Sequence, residues 1–530
     1  MSILVDDPKW DALKTTSIPI TEQITKDSKS GQELHNEDSQ NYHISSNEQV
    51  GRHLVASKDL IAGDIVLRTL PLATGPLSSS GGPAPCVTCY EILDEDNLYM
   101  CPTCGWPVCS EECAAHPRHL PECMAIVASG VKVSFDDPTM WDSLYDCVIL
   151  LRCLSLRISS PPSWAQMETM ESHENTKRLQ THQRRSKALA ALFEARFGNS
   201  YGSTKADVLR IIATLEVNGM EVSSAGHTLQ AIYPIACLAE HACIPSAFRV
   251  FGSPDEGFPL TLRAAIDIPM GSAISLTYTD SLWGTPERRT HLYYSKLFLC
   301  SCKRCSDREE LGACLTALKC RKCGDCILPE NPLSEGWLKG AKAEGAEKWS
   351  CRNCKERMDG ARARTAAWQA SEWIKGLEEE DGVEYDAYEN VLGKALVRLH
   401  PKHSSVIDLK HSILHLLNPP EALNDKQLTK KELLARELLE VAGIIFPGIS
   451  QLKGTCLYEL ASSLMEKAKR KQKKEENCQP IIVEAEKSFE DCIYHLHFQS
   501  NCQPEYQLLI GAKEKMKDLV KMKANTSAKS

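Results

Sequence analysis

Cysteine and histidine recur along this chain at spacings that bind metal. Cys300, Cys302 and Cys305 form a C-x-C-x2-C run. A tetrahedral thiolate site, with ligands at about 2.3 Å, needs one more. Cys243, in the turn Glu240-His241-Ala242-Cys243-Ile244-Pro245, is the candidate. A metal held by these four would pin the run back beside His241 and Tyr278 and wall in a small pocket. A denser cluster lies upstream, as Cys86-x2-Cys89, Cys101-x2-Cys104, Cys109-x3-Cys113 and His119-x3-Cys123. Its eight ligands suit two tetrahedral zincs. A module this small cannot build an adequate apolar core, so metal binding would supply most of its folding energy. Downstream, Cys320-x2-Cys323 and Cys351-x2-Cys354 read as a zinc ribbon, with Cys326 as an alternative ligand.

These ligands need elements to position them. Gly51-Arg52-His53-Leu54-Val55-Ala56 starts the ordered chain as a strand, followed by a turn at Ala62-Gly63-Asp64 and a strand Ile65-Val66-Leu67. Leu260–Ala264 and Ala273–Tyr278 alternate like sheet. A faint echo links Asp59-Leu60-Ile61-Ala62-Gly63 to Asp267-Ile268-Pro269-Met270-Gly271, each a tight turn leading into a strand. A Gly/Ser/Pro linker over 75–83 leads into the cysteine cluster. Beyond it the pattern turns helical. Leu144, Val148, Leu151, Leu154 and Ile158 make one apolar stripe, Glu168–Arg185 reads as a solvated helix or loop, and Lys205–Val217 as a helix. From Ala366 the chain is helical. Val406, Leu409, Ile413 and Leu416 form a stripe, and Thr429-Lys430-Lys431-Glu432 reads as a capping box before a helix ended by Gly443 and Pro447. The basic run Lys467–Lys474 fits one solvated helix face better than an import or binding patch.

The 530 residues suffice for three or four domains, and 42% hydrophobic with 25% charged residues is ordinary for a globular protein. A net charge of −9 gives no basic footprint, which argues against direct DNA binding. No apolar run reaches the ~20 residues of a membrane helix, so no membrane association is expected. The N-terminus lacks the basic start and apolar core of a signal peptide. Without secretion, 24 cysteines point to metal rather than disulfides and to an intracellular protein, in nucleus or cytoplasm.

The stretch Tyr233–Cys305 resembles the catalytic half of a SET domain with its cysteine-rich tail. The family's Asn-His-Ser-Cys-x-Pro-Asn reads here as Glu240-His241-Ala242-Cys243-Ile244-Pro245-Ser246. Its Gly-Glu-Glu-Leu-x-x-x-Tyr reads as Gly271-Ser272-Ala273-Ile274-Ser275-Leu276-Thr277-Tyr278. The eight-ligand cluster is similar to a MYND finger, which implies interleaved sites. Cys86, Cys89, Cys109 and Cys113 would hold one zinc, and Cys101, Cys104, His119 and Cys123 the other. His119, not His116, has the family's gap to the last cysteine. A finger inside an interrupted SET domain, with a helical insert after it, resembles the SET-and-MYND family and its arthropod branch over roughly residues 48–420.

The resemblance implies an α+β multidomain architecture. An N-terminal segment, 1–47, would be disordered. A split SET domain would span 48–305, interrupted by the finger (86–123) and a helical insert (135–230). A zinc ribbon (310–360) and an all-α TPR-like domain (365–523) would follow. It further implies a protein-lysine methyltransferase using S-adenosyl-L-methionine, with two zincs in the finger, one in the post-SET tail and one in the ribbon. Tyr278 would be catalytic. Gly51, Arg52, His53, Asn218, Glu240, His241, Tyr278 and Phe298 would surround the cofactor, Phe298 as an aromatic wall. Partners would be a lysine-bearing protein, histone or not, and proline-containing peptides at the finger.

Lysine methylation needs a neutral amine, whereas a free lysine has a pKa near 10.4 and is protonated at pH 7. A narrow channel must desolvate the ammonium and align amine, methyl and sulfur. Two departures from the family weaken cofactor binding. His53 stands where a second glycine would allow close backbone approach. Glu240 replaces an asparagine that both donates and accepts. Losing one buried donor costs about 1–3 kcal/mol. The alternative reading is therefore a catalytically weak scaffold that recruits partners in transcriptional regulation.

Overall fold

The computed structural model describes residues 40–48, 50–77, 85–94, 96–130, 138–173, 180–224, 227–339, 347–379 and 384–527. Residues 1–39, most of the expected disordered segment, and 78–84 of the linker lie outside these.

The sheet unit is assembled from both sides of the finger and the helical segment. Ile65–Thr69 pairs with Leu260–Ala264, which pairs in turn with Ala247–Phe251, all antiparallel. Ala73–Pro76 pairs with His227–Ile232, and that strand with Met220–Ser224. Alternation places Leu260, Leu262 and Ala264 inward at 0% exposure each. They meet Leu54, Val66, Tyr233 and Ile274 in one core. The two echo segments pair directly, since the Leu60 and Ile268 amides each donate to the other's carbonyl at 2.9 and 2.8 Å.

The structure corrects the expected boundary of disorder. Tyr42–Asn47, assigned to the unstructured segment, is a strand in register with Gly51–Ala56. Its side chains are mostly exposed, so the segment shows no apolar period to betray it.

The finger packs on the helical segment that follows. Helix Pro138–Ser159 buries Leu144, Val148, Leu151 and Leu154 against Trp106, Val108 and Phe193. Ile158, the last of the stripe, is exposed. Helix Lys205–Asn218 starts at Thr204, whose hydroxyl caps the Asp207 amide while Asp207 returns a bond to the Thr204 amide.

Downstream, a four-stranded antiparallel sheet (Leu318–Lys319, Cys326–Pro329, Lys348–Cys351, Arg357–Asp359) carries the two knuckles. Helices from Gly360–Glu378 to Pro504–Ser527 then share one core. The capping box here is Asn424 with Gln427, not Thr429 with Glu432; Thr429 lies in the second turn, its hydroxyl donating to the Asp425 carbonyl at 2.8 Å. The basic run lies in helix Gln451–Lys473. In it, Lys467 pairs with Glu432 and Arg470 with Asp425 and Glu466.

Candidate metal centres and active site

Four cysteine-rich groups converge as the spacings require. They are Cys86, Cys89, Cys109 and Cys113; Cys101, Cys104, His119 and Cys123; Cys243, Cys300, Cys302 and Cys305; and Cys320, Cys323, Cys351 and Cys354. In a tetrahedron with 2.3 Å bonds, ligand sulfurs stand roughly 3.8 Å apart. Cys243 lies 3.9 Å from Cys300 and 3.5 Å from Cys305. Cys89–Cys109, Cys320–Cys354 and Cys323–Cys351 fall at 3.4–3.5 Å. These donor sets and separations suit zinc. His116 faces no such group among the described residues; its ring caps the Arg118 amide. Cys326 is not in the ribbon's ligand set.

Buried charges surround two of these groups. Glu122, fully buried, accepts from His119 Nδ1 at 3.2 Å and from Arg152, reached from the neighbouring helix, at 2.5 Å. Arg152 also donates to the Thr74 and Val87 carbonyls and the Tyr90 phenol, tying finger to sheet. A carboxylate behind a ligating histidine fixes its tautomer and leaves Nε2 for the metal. At the other group, Arg288 is 0% exposed. It donates to the sulfurs of Cys243 at 3.3 Å and Cys305 at 3.5 Å, and pairs with Glu310 at 3.1 Å. Bonds from Cys300, Cys302 and Cys305 pull the Cys243 thiol far down, toward thiolate.

This cysteine cluster positions Tyr278. His241 Nε2 lies 3.3 Å from Cys243 Sγ, while Nδ1 accepts the Tyr278 amide at 3.1 Å. Glu240–His241 runs parallel to Ser275–Leu276, and Ser246 and Ser275 exchange bonds across the turn. The His241 ring stands 5.3 Å from Tyr278 and 5.8 Å from Phe298. The Tyr278 phenol donates to the Ala239 carbonyl at 2.5 Å, and burial keeps its pKa well above the ordinary value. Tyr278, His241, Glu240 and Phe298 are thus brought together.

The remaining expected cofactor residues have other engagements. Arg52 donates to the Thr169 carbonyl at 2.6 Å. His53 is buried and turned back on the Gly51 carbonyl at 3.0 Å. Gly51 has φ +71° with open space at its Cβ position. The Asn218 amide donates to the carbonyls of Glu171 and Thr214.

Sequence reasoning missed Lys296. It follows helix Thr285–Ser295 and donates from Nζ to the carbonyls of Val217 at 2.6 Å and Glu216 at 3.2 Å. That is the C-terminal end of helix Lys205–Asn218, where a cation is favoured. Its Nζ lies 5.9 Å from the Tyr278 ring centroid, and burial lowers its pKa to about 8. A cavity of about 110 Å³ adjoins it, lined by Ser172, His173, Glu216, Val217, Tyr294, Ser295 and Leu297. Small-molecule pockets usually run to roughly 300–1,000 Å³. No sequence signal marks Lys296, because its role arises only where two distant segments meet.

No family model matches the chain. It is 29% identical over 299 residues to SET domain-containing protein SmydA-8, isoform A, of Drosophila melanogaster, a match covering 54% of this chain and 62% of that protein. It is 24% identical over 280 residues to N-lysine methyltransferase SMYD2-A of Xenopus laevis (52% and 62% covered). Against human histone-lysine N-methyltransferase SMYD3 the figures are 25% over 286 residues, with 50% and 61% covered. The chain thus matches about six tenths of the length of these relatives. Among solved structures, the SET domain of LSMT bound to lysine and AdoHcy is similar at 11% identity and a TM-score of 0.28, over 82% of this chain and 93% of that one.

Proposed function

We propose that this chain, a member of the SET-and-MYND family, transfers a methyl group from S-adenosyl-L-methionine to lysine amines of a protein substrate. The observation that carries the reading is the linked set Cys243–His241–Tyr278, in which His241, beside a metal-type cysteine cluster, holds the Tyr278 backbone and stacks near both the Tyr278 and Phe298 rings. When bound, the cofactor would supply an electrophilic methyl. The chain's own residues do the rest. Phe298, itself 37% exposed, and His241 would screen the amine from water only once cofactor and substrate cover them, which would favour the neutral amine. The phenol oxygen of Tyr278, its proton already committed to Ala239, offers lone pairs to orient the incoming amine. Arg52 and Asn218 would serve the cofactor through their backbones, since their side chains are spent elsewhere. Zinc in the four groups would hold the finger, the post-SET tail and the ribbon in shape. The finger would dock proline-containing peptides, and the domain limits would be those expected from the sequence, except that the sheet unit takes in the strand Tyr42–Asn47.

The scaffold alternative has one observation in its favour. Lys296 places a cation beside Tyr278, where a sulfonium and a second amine would have to approach. Calorimetry with S-adenosyl-L-methionine separates the two readings. Binding, together with transfer of labelled methyl to protein in a cell lysate, is the expected result. No heat at millimolar cofactor would leave only the scaffold.

A further inference from the structure

Cys326 immediately follows the ribbon's first knuckle, yet it belongs to a different constellation. The ligand atoms of Asp325, Cys326 and His400 all lie within 4.8 Å of one another. Cys314 lies outside that mutually close set but packs against Cys326 in the same small buried cluster, near enough to be drawn in as a fourth ligand. Both cysteines are buried, packed with Ala317 and Leu328. We propose that Cys314, Asp325, Cys326 and His400 hold a fifth metal ion, a zinc-type divalent cation, distinct from the ribbon's own.

Two thiolates, an imidazole and a carboxylate are all ligands that zinc takes at about 2.0–2.3 Å, whereas magnesium and calcium prefer oxygen alone. The donors come from three segments of chain, each held by backbone bonds that need no metal. The Cys320 amide donates to the Asp325 carbonyl at 2.8 Å, and the Arg352 amide to the Cys326 carbonyl at 2.9 Å. The His400 amide donates to the Ala317 carbonyl at 3.1 Å, and the Lys319 amide to Arg398 at 2.9 Å. Asp325 Oδ1 is held by the Cys326 amide at 2.7 Å and Arg352 at 2.8 Å. Its Oδ2 meets the Arg352 Nε at a long 3.4 Å and is the oxygen better placed to bind. The ring of His400 accepts a long 3.3 Å bond from the Lys402 amide at Nδ1, which must give way if that nitrogen ligates. A metal here would staple the ribbon to the segment after the post-SET tail and to the start of the helical domain.

The test is metal stoichiometry of the purified full-length chain by native mass spectrometry and elemental analysis. Five zincs per chain are expected, one for each of the five groups. His400→Gln and Asp325→Asn should each release one zinc and keep the rest. In the cobalt(II)-substituted protein, both should remove one set of visible bands while the thiolate-rich spectrum of the four-cysteine ribbon stays. If His400→Gln does not fold, Asp325→Asn carries the comparison. An unchanged count in the folded variant overturns the site, as does a wild-type chain that fills the four cysteine-rich groups and takes no further ion.

Discussion

At the scale of single residues, the proposed chemistry turns on Lys296 and Tyr278. Burial holds the Lys296 ammonium near a pKa of about 8, with Cys237 and Glu221 raising it and Arg249 lowering it. His291 faces the same amine, and its own pKa is depressed in part by it. Below pH 8 the cation would repel a sulfonium; above, it is neutral. For a sulfonium as far from this amine as the Tyr278 ring, 5.9 Å, repulsion at an effective dielectric of 20 is roughly 3 kcal/mol, an upper limit because the group is only half-buried. Cofactor affinity should therefore rise roughly tenfold between pH 7 and 9, and Lys296→Met should be tight and flat across that range. Binding is the readout because turnover also titrates the substrate amine. A pH slope as steep in Lys296→Met as in wild type would remove Lys296 from the site. Tyr278→Phe should cut methyl transfer by roughly a hundredfold while leaving cofactor affinity within about twofold, since the phenol's proton is spent on the Ala239 carbonyl and its proposed role is toward the incoming amine. Equal loss of both would mean that the hydroxyl merely packs. The paired knuckle cysteines were legible in the sequence because a tetrahedral metal site sets them two or three residues apart. Cys243, 57 residues before Cys300, was found only as the fourth ligand that the C-x-C-x2-C run lacked. Lys296 and Arg288 were not, because their partners lie tens of residues away and a lone basic residue at a helix end reads as solvated.

At the scale of elements, buried arginines decide whether a metal-bearing loop stays docked. Arg152 leaves helix Pro138–Ser159 to meet Glu122 behind His119, both side chains almost wholly buried. Arg152→Met would strand that carboxylate, at a cost of about 3–5 kcal/mol. It would also free the His119 ring, weakening zinc there by roughly 10- to 100-fold. The expected outcome is a lower melting temperature together with earlier zinc release to a chelator. A melting curve and release rate like those of wild type would show that Glu122 finds another partner. The pairings across the insertion were partly readable, because Leu260–Ala264 and Ile65–Leu67 carry apolar residues at period two. Tyr42–Asn47 was not, since a half-exposed strand whose partner supplies the core shows no alternation of its own. The helix over 425–445 was legible by its start and stop signals, yet its start shifted. Asn424 offers an equally good cap one turn earlier, and Lys431 is needed inside, paired with Glu459 at 2.5 Å.

At the scale of the molecule, the helical domain grips the sheet unit at two loops. Ile449 donates to the Ala265 carbonyl at 2.8 Å, and the Ser500 hydroxyl to the Phe251 carbonyl at 2.5 Å. Phe498 lies beneath Arg263 and against Phe248. The closest approach is at Gly448, where an added Cβ would stand 1.8 Å from the Ala265 carbonyl oxygen. That obstacle is backbone at the end of a central strand, so it cannot swing aside. Gly448→Ala must push the loop away, losing the Ile449 bond (about 1 kcal/mol) and straining the contact by a further 1–3 kcal/mol or so, roughly the cost of overpacking. Neither core is touched, because the loop lies between them. Unfolding should therefore split into two transitions where wild type shows one, and amide exchange should quicken at Ile449 and Ser500 while Leu262 stays protected. Cofactor binding should stay near the wild-type value, since Tyr278 and His241 keep their own supports. If Gly448→Ala melts in one transition at the wild-type temperature, the helical domain is not held to the sheet unit through this loop.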